Sequence, residues 1–189
     1  MDAQLRSWNA AQPPRSGSQP YTAEWIENPA KPLWEVLNPK QRGGNRYSAY
    51  QTALERATAD RNTRLATHAR RAAPVTHDDL VAHLTFGTWV GLLPRRQLSG
   101  HLGPAGNVVL WNQALMRAFP NHQNPTVISY WLSGLRLVRN RVAHMESLLD
   151  VDAIRVNRTA IRLLRAVDST LGDWLSGISR VGQVAGRRP

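Results

Sequence analysis

Apolar residues recur at the spacing of an α-helix through most of the chain, and alternating strand-like patterns are absent. Residues 47–72 contain no Pro or Gly, and Ala49, Ala53 and Ala57 recur there at every fourth position. Residues 78–93 are apolar on most sides, which is typical of a helix buried in the centre of a domain. The pattern therefore predicts an all-α fold.

Capping residues and prolines indicate where the helices begin and end. Thr76 stands before two acidic residues, which predicts the N-cap of the helix over 78–93. Pro94 and Pro120 predict the ends of two helices, because proline cannot continue a helix. Three further helices are predicted over residues 108–119, 125–145 and 151–175.

The two ends of the chain differ in composition from its middle. Residues 9–20 are rich in Pro, Gly, Ser and Gln, which is typical of a mobile arm. We therefore expect an irregular N-terminal arm and loop over 1–46, with Trp25 and Trp34 packed on the main body through short turns or one-turn helices. A helical domain is predicted over 47–178, followed by a flexible basic tail over 179–189.

The chain is strongly basic, with 24 Lys and Arg against 13 Asp and Glu and a net charge of +11. Only Lys31 and Lys40 are lysines, so nearly all of the positive charge is arginine. The planar guanidinium suits phosphate, which favours RNA or another polyanion as partner. A GC-rich coding composition would explain the arginine excess equally well.

Several classes of site are excluded or disfavoured. The chain has no Cys, which excludes disulfides, thiolate zinc sites and a Cys nucleophile. Its six His residues show no metal-ligand spacing, and the Gly-rich loop 100–106 lacks the Lys-Ser/Thr of a phosphate loop. We predict no metal and no cofactor. The absence of a long apolar run or apolar leader predicts a cytoplasmic protein with no membrane partner.

The helix predicted over 125–145 carries the candidate chemistry. At 100° per residue, its apolar residues form one core-facing stripe, made of Ile128, Trp131, Leu135, Val138, Val142 and Met145. Arg136, Asn140 and His144 step by four along the opposite side, and Arg139 lies at the flank. Polar groups are thus expected to converge on one exposed side of a buried helix.

These residue types suit RNA cleavage without a metal. Histidine can take or give a proton near neutral pH, and an arginine can neutralise charge developing on phosphate oxygens. The RNA supplies its own nucleophile in the 2′-OH, so the products would be a 2′,3′-cyclic phosphate and a 5′-OH. Asn140 lies one turn before His144, and we expect it to orient the imidazole.

The segment Arg139-Asn140-Arg141-Val142-Ala143-His144 fits the Arg-Asn-x-x-x-His motif of HEPN-domain ribonucleases. The surrounding chain resembles the Abi-like (abortive-infection) branch of that superfamily. Three other segments are similar to this branch over about residues 47–150, namely 84–93 (LTFGTWVGLL), 110–120 (LW…AFP) and 135–138 (LRLV).

The resemblance implies a HEPN-like helical bundle that works as a homodimer. Arg139 and His144 of two protomers would form one composite catalytic site, with Asn140 as an accompanying polar residue. A toxin or abortive-infection role against phage is implied, with a possible antitoxin or regulatory partner.

Further arginines are candidates for holding the RNA. Arg136 and Arg141 lie beside the motif, and Arg95 and Arg96 begin the Gly-rich loop. We expect Glu146 to hold an arginine at the site.

An inactive relative is the main alternative. The family often has a second His where this chain has Met145, a Pro where it has Ser147, and an upstream helix where it has the Pro/Gly-rich arm. These departures favour a non-catalytic module that binds RNA or a protein partner. A DNA-binding regulator is weaker, because no recognition-helix pair is evident.

Overall fold

The computed structural model describes residues 1–14, 16–40, 44, 47–94 and 105–186. Within these ranges the chain forms helices and turns and no β-strand. The all-α prediction is confirmed. No helix in the same ranges is both long enough and apolar enough to cross a membrane.

The N-terminal part of the chain is built into the core. It forms helix α1 (Asp2–Ala10) and helix α2 (Lys31–Leu37), so the prediction of an irregular arm over 1–46 is wrong for these residues. Leu5, Trp25 and Leu33 are fully buried. Their apolar surface gives the segment a reason to fold onto the body, as expected for Trp25.

A buried amide fixes this segment. The Asn9 Nδ2 donates to the carbonyl oxygens of Thr22 at 2.8 Å and Asn28 at 3.0 Å. Its Oδ1 accepts from the Ala30 backbone N–H at 2.8 Å. Because the amide of Asn9 is used on both sides, the turns between α1 and α2 are held against α1.

Helix α3 spans Ala49–Thr63, nine residues less at its C-terminal end than predicted. The three alanines at its four-residue spacing are buried, as that pattern indicated. Leu65, beyond the end of α3, is exposed, so a longer helix would not bury this apolar side chain. The chain turns back instead, and the Arg71 Nη1 donates to the Asn62 carbonyl at 2.7 Å.

Helix α4 spans His77–Ala82, and its predicted cap is confirmed. The Thr76 hydroxyl accepts from the Asp79 N–H at 3.4 Å, and the Asp79 carboxylate accepts from the Thr76 N–H at 2.9 Å. This reciprocal capping box satisfies two backbone donors. It also lowers the pKa of Asp79, mainly through the Thr76 N–H.

The single helix predicted over 78–93 is two helices. After α4, helix α5 (Phe86–Gly91) begins at its own cap, where the Thr85 hydroxyl accepts from the Thr88 N–H at 3.0 Å. The apolar run is continuous, but the capping hydroxyl of Thr85 starts a second helix within it.

Helix α6 (Ala105–Gln113) leads through a short 3₁₀ helix (Leu115–Ala118) to the long helix α7 (Pro125–Ala143). Trp111 is buried and stacks on Phe119, with ring centroids 5.8 Å apart. These rings form one side of the core under α7, as their apolar spacing indicated.

The helix predicted over 151–175 is also divided. Helix α8 (Ala153–Val167) and helix α9 (Ser169–Ile178) meet at Asp168, whose backbone is extended and whose carboxylate accepts from the Thr170 N–H at 2.7 Å. A short helix α10 (Val181–Ala185) lies within the predicted flexible tail.

Gly172 lets α8 and α9 approach closely. A Cβ at this position would lie 3.1 Å from the Arg165 backbone nitrogen and 3.1 Å from the Ile161 carbonyl oxygen, and it would overlap the Arg165 Cγ. Any larger residue therefore requires the two helices to move apart.

Helix α7 enters the core with its N-terminal half only. Ile128, Ser129 and Leu132 are buried, whereas Val142 and Met145 are exposed. The predicted core stripe is therefore correct for Ile128 and wrong for Val142 and Met145. The C-terminal half of α7 projects past the core and carries the candidate site.

Candidate active site

Helix α7 ends one residue before the predicted catalytic histidine, which is its C-cap. The Glu146 N–H donates to the Arg141 carbonyl at 2.8 Å, and the Met145 N–H donates to the Val142 carbonyl at 3.1 Å. This pair of bonds is a Schellman motif. His144 therefore sits in a defined backbone turn, not in the regular helix that the sequence predicted.

The turn places Met145 in the left-handed region, at φ 54°. Glycine normally holds this position, because a Cβ is strained there. The Met145 side chain is 95% exposed and has no packing that would explain its presence. Met145 is thus the residue that turns the chain after His144.

Asn140 is engaged with Arg139 and not with the imidazole of His144. The Arg139 Nη1 donates to the Asn140 Oδ1 at 3.2 Å, and only the backbone carbonyl of Asn140 contacts His144, accepting its N–H at 3.0 Å. The Asn140 side chain therefore does not orient the His144 ring, contrary to the prediction. The ring is exposed and forms no hydrogen bond with any other described residue.

Arg139 and His144 are five positions apart, which separates their directions around a helix by about 140°. Both side chains are exposed, with Asn140 half-buried between them. Within one chain, the cation and the imidazole therefore present to different sides of α7.

Arg136 packs against α5, so its predicted placement opposite the core is wrong. A Cβ on Gly87 would lie 3.6 Å from the Arg136 Nη1, an ordinary van der Waals distance, so this guanidinium lies against Gly87 of α5. The Arg136 Nε is buried and has no hydrogen-bond partner among the described residues. Arg136 is thus held at the helix surface by packing.

Arg141 secures the loop that follows the site. Its Nη1 and Nη2 donate to the two carboxylate oxygens of Asp150 at 3.1 Å and 2.6 Å, and Nη2 also donates to the Ser147 carbonyl. This hydrogen bonding lowers the pKa of Asp150 and raises the pKa of Arg141. The Glu146 carboxylate lies 3.9 Å from the Arg141 Nε, so the arginine that Glu146 contacts is Arg141.

Asp150 had not been singled out from the sequence. The only available signal was an acidic residue nine positions after Arg141, a spacing with no helical meaning. Two other predicted residues, Arg95 and Arg96, lie outside the described residues.

No group of three His, Asp or Glu side chains in the described ranges is arranged to hold a metal ion. The chemistry available at the end of α7 is that of an imidazole, a guanidinium and an amide.

No family model, curated protein or solved structure matches this chain. The resemblance to HEPN ribonucleases rests on the motif residues and their flanking segments alone.

Proposed function

We propose that the chain is a metal-independent endoribonuclease of the Abi-like HEPN type. The observation that carries the proposal is the pair Arg139 and His144, both exposed near the end of α7, with His144 in the turn held by the Schellman bonds. The neighbouring Arg136 and Arg141 are occupied by packing and by Asp150, which leaves Arg139 as the cation available to a phosphate.

The proposed reaction needs no group beyond the protein and the RNA. The 2′-oxygen attacks the adjacent phosphorus and the bond from phosphorus to O5′ breaks, giving a 2′,3′-cyclic phosphate and a 5′-OH. His144 takes the proton of the 2′-OH, and the partner's His144 gives a proton to the departing O5′. Arg139 neutralises the charge that builds up on the non-bridging oxygens.

The separation of Arg139 and His144 around α7 supports a composite site. Two copies of the chain, facing each other across their α7 ends, bring a cation and an imidazole to one phosphate from different protomers. Apolar residues beside the site are exposed, including Val142 and Leu149 at 55% and 89%. A homodimer that covers them removes this apolar surface from water.

The resemblance extends the proposal to a cytoplasmic toxin or abortive-infection role, with an antitoxin or other regulatory partner. These settings follow from the family alone.

Cleavage in EDTA tests the enzyme proposal. We expect single-stranded RNA to yield cyclic-phosphate ends, and we expect RNA with 2′-O-methyl groups to resist cleavage. His144→Ala and Arg139→Ala are each expected to lower the rate by about 10²–10⁴-fold, since each removes one catalytic group.

Matched controls are available elsewhere on the surface. His68 and Arg56 are exposed and distant in sequence from α7, so His68→Ala and Arg56→Ala should retain full activity. Cleavage that survives in His144→Ala and Arg139→Ala would refute the proposed mechanism.

The alternative is a non-catalytic module of the same fold. It is favoured by one observation, which is that no hydrogen bond from another described residue orients the His144 ring. This alternative predicts RNA affinity that falls with salt and no cleaved product.

A further inference from the structure

Helices α7 and α8 run antiparallel and are rich in arginine. The Arg141 Nη2 at the end of α7 lies 2.6 Å from Asp150 just before α8, while the Asn121 Nδ2 just before α7 donates to the Arg165 carbonyl near the end of α8 at 2.9 Å. The two helices together contain seven arginines and no acidic residue.

The arginines of α8 fall on one stripe about 80° wide, at positions 155, 158, 162 and 165. Arg165 pairs with Asp173 at 2.7 Å. Arg158 and Arg162 are exposed, lie one turn apart, and form no ion pair with any described residue. Two cations thus stand free on the stripe.

An aromatic ring adjoins this stripe. The Arg155 Nη2 donates to the Tyr130 hydroxyl at 2.6 Å, which fixes the end of the tyrosine side chain. Tyr130 remains 61% exposed. An exposed ring in contact with one arginine of this stripe offers a base a stacking surface, while the other arginines of the stripe offer its phosphates a charged one.

We propose that Tyr130, Arg155, Arg158 and Arg162, the α8 arginine surface, bind single-stranded RNA. A base stacks on the ring of Tyr130, and the guanidinium groups of Arg158 and Arg162 contact flanking phosphates. This inference rests on the proposed function for its choice of RNA as ligand. It supplies phosphate contacts where two of the predicted ones, Arg136 and Arg141, are occupied within the fold.

RNA fits this surface better than an acidic protein does. An acidic protein would be attracted by the positive charge alone. A single-stranded RNA would also use the exposed ring of Tyr130, on which an unpaired base can stack. The surface therefore distinguishes single-stranded from duplex RNA, because duplex bases are already stacked.

Binding is measured in the His144→Ala background, so that the RNA stays intact. The probe is a fluorescently labelled oligoadenylate, and a duplex of matched length is the competitor. Tyr130→Ala should weaken binding by between about fivefold and a hundredfold, whereas Tyr130→Phe keeps the ring and most of the affinity. Arg158→Gln with Arg162→Gln should reduce the slope of log affinity against log salt by about 1.4.

A matched control removes the same two charges elsewhere. Lys31 on α2 and Arg56 on α3 are exposed, and Lys31→Gln with Arg56→Gln should leave affinity and salt slope nearly unchanged. If this control equals the Arg158/Arg162 variant, binding follows net charge and the inference is overturned. Tighter binding of duplex RNA, or equal affinity in Tyr130→Ala, also overturns it.

Two results separate this inference from the proposed activity. Oligoadenylate binding with the expected pattern, by a wild-type chain that cuts no RNA, upholds the α8 arginine surface and refutes the ribonuclease. Cleavage that depends on His144 but not on Tyr130, Arg158 or Arg162 upholds the ribonuclease and overturns the surface. An Arg158/Arg162 variant with unchanged RNA affinity but altered sedimentation assigns the surface to a protein contact and overturns it as well.

Discussion

Met145 offers a direct test of the turn that holds His144. Its φ of 54° places a non-glycine residue where the Schellman motif normally has glycine. Replacing it by glycine relieves a backbone strain of about 1–2 kcal/mol. The cost is the extra chain entropy that glycine loses on folding, about 0.5–1 kcal/mol.

The side chain itself contributes little to this balance, because it is 95% exposed and buries almost no apolar area. Met145→Gly should therefore stabilise the chain by about 0.5–1 kcal/mol. For a protein of this size, such a gain raises the melting temperature by about 1–4 °C.

Urea denaturation followed by circular dichroism measures the change, with Met145→Ala as the matched control. Alanine removes the same side chain but keeps the strained Cβ, so its unfolding free energy should stay close to that of the wild type. A Met145→Gly variant that is no more stable than Met145→Ala would show that the left-handed turn does not strain the chain.

Five other substitutions test the packing and capping of the helices. Gly172→Ala should destabilise the fold, because the new Cβ would meet the backbone of α8. Gly134→Ala has open space around it and should stabilise α7 by about 0.5–1 kcal/mol. Thermal melts of the two variants measure the difference. Ile128→Ala should cost about 2–5 kcal/mol in urea denaturation, because the side chain is fully buried. Thr76→Ala should cost about 1 kcal/mol by losing the cap. Because the pKa of Asp79 is lowered in the folded state, its ionised form stabilises the fold at pH values above the unfolded pKa near 3.8. This contribution is lost as the pH falls through the lower folded pKa. The unfolding free energy of Asp79→Asn should therefore change less over this acidic range than that of the wild type.

Apolar spacing predicts where helices lie in this chain but not where they divide. The runs over 78–93 and 151–175 keep their apolar pattern across Thr85 and Asp168, which each begin a new helix by accepting a backbone N–H. A capping side chain inside an apolar run is visible in the sequence. Whether that side chain caps a new helix or lies inside a continuous one depends on contacts with other segments.

The burial of α7 shows a second limit of prediction from apolar spacing. Its apolar stripe predicts one buried face along the whole helix, yet Val142 and Met145 extend beyond the core. Arg136 instead lies against α5, beside Gly87. The motif residues could be found from their spacing, whereas the pairing of Arg141 with Asp150 depends on how the loop folds back.

The prediction of an irregular N-terminal arm is wrong for α1 and α2 because the composition of this segment does not reveal its contacts. Its Pro and Gly content is typical of a mobile arm, but Asn9 has an amide that satisfies three separate backbone groups. Such a match depends on the tertiary arrangement and leaves no periodic signal in the sequence.

The place of α1 in the core has a consequence for synthesis of the protein on the ribosome. The Trp8 indole donates to the side chain of Gln113 at 2.8 Å, a partner 105 residues further along the chain. At typical translation rates, about 5–20 s pass between the synthesis of α1 and that of Gln113. Helix α1 is thus fully buried only after α6 has been made, and Trp8 is open to chaperones during that interval.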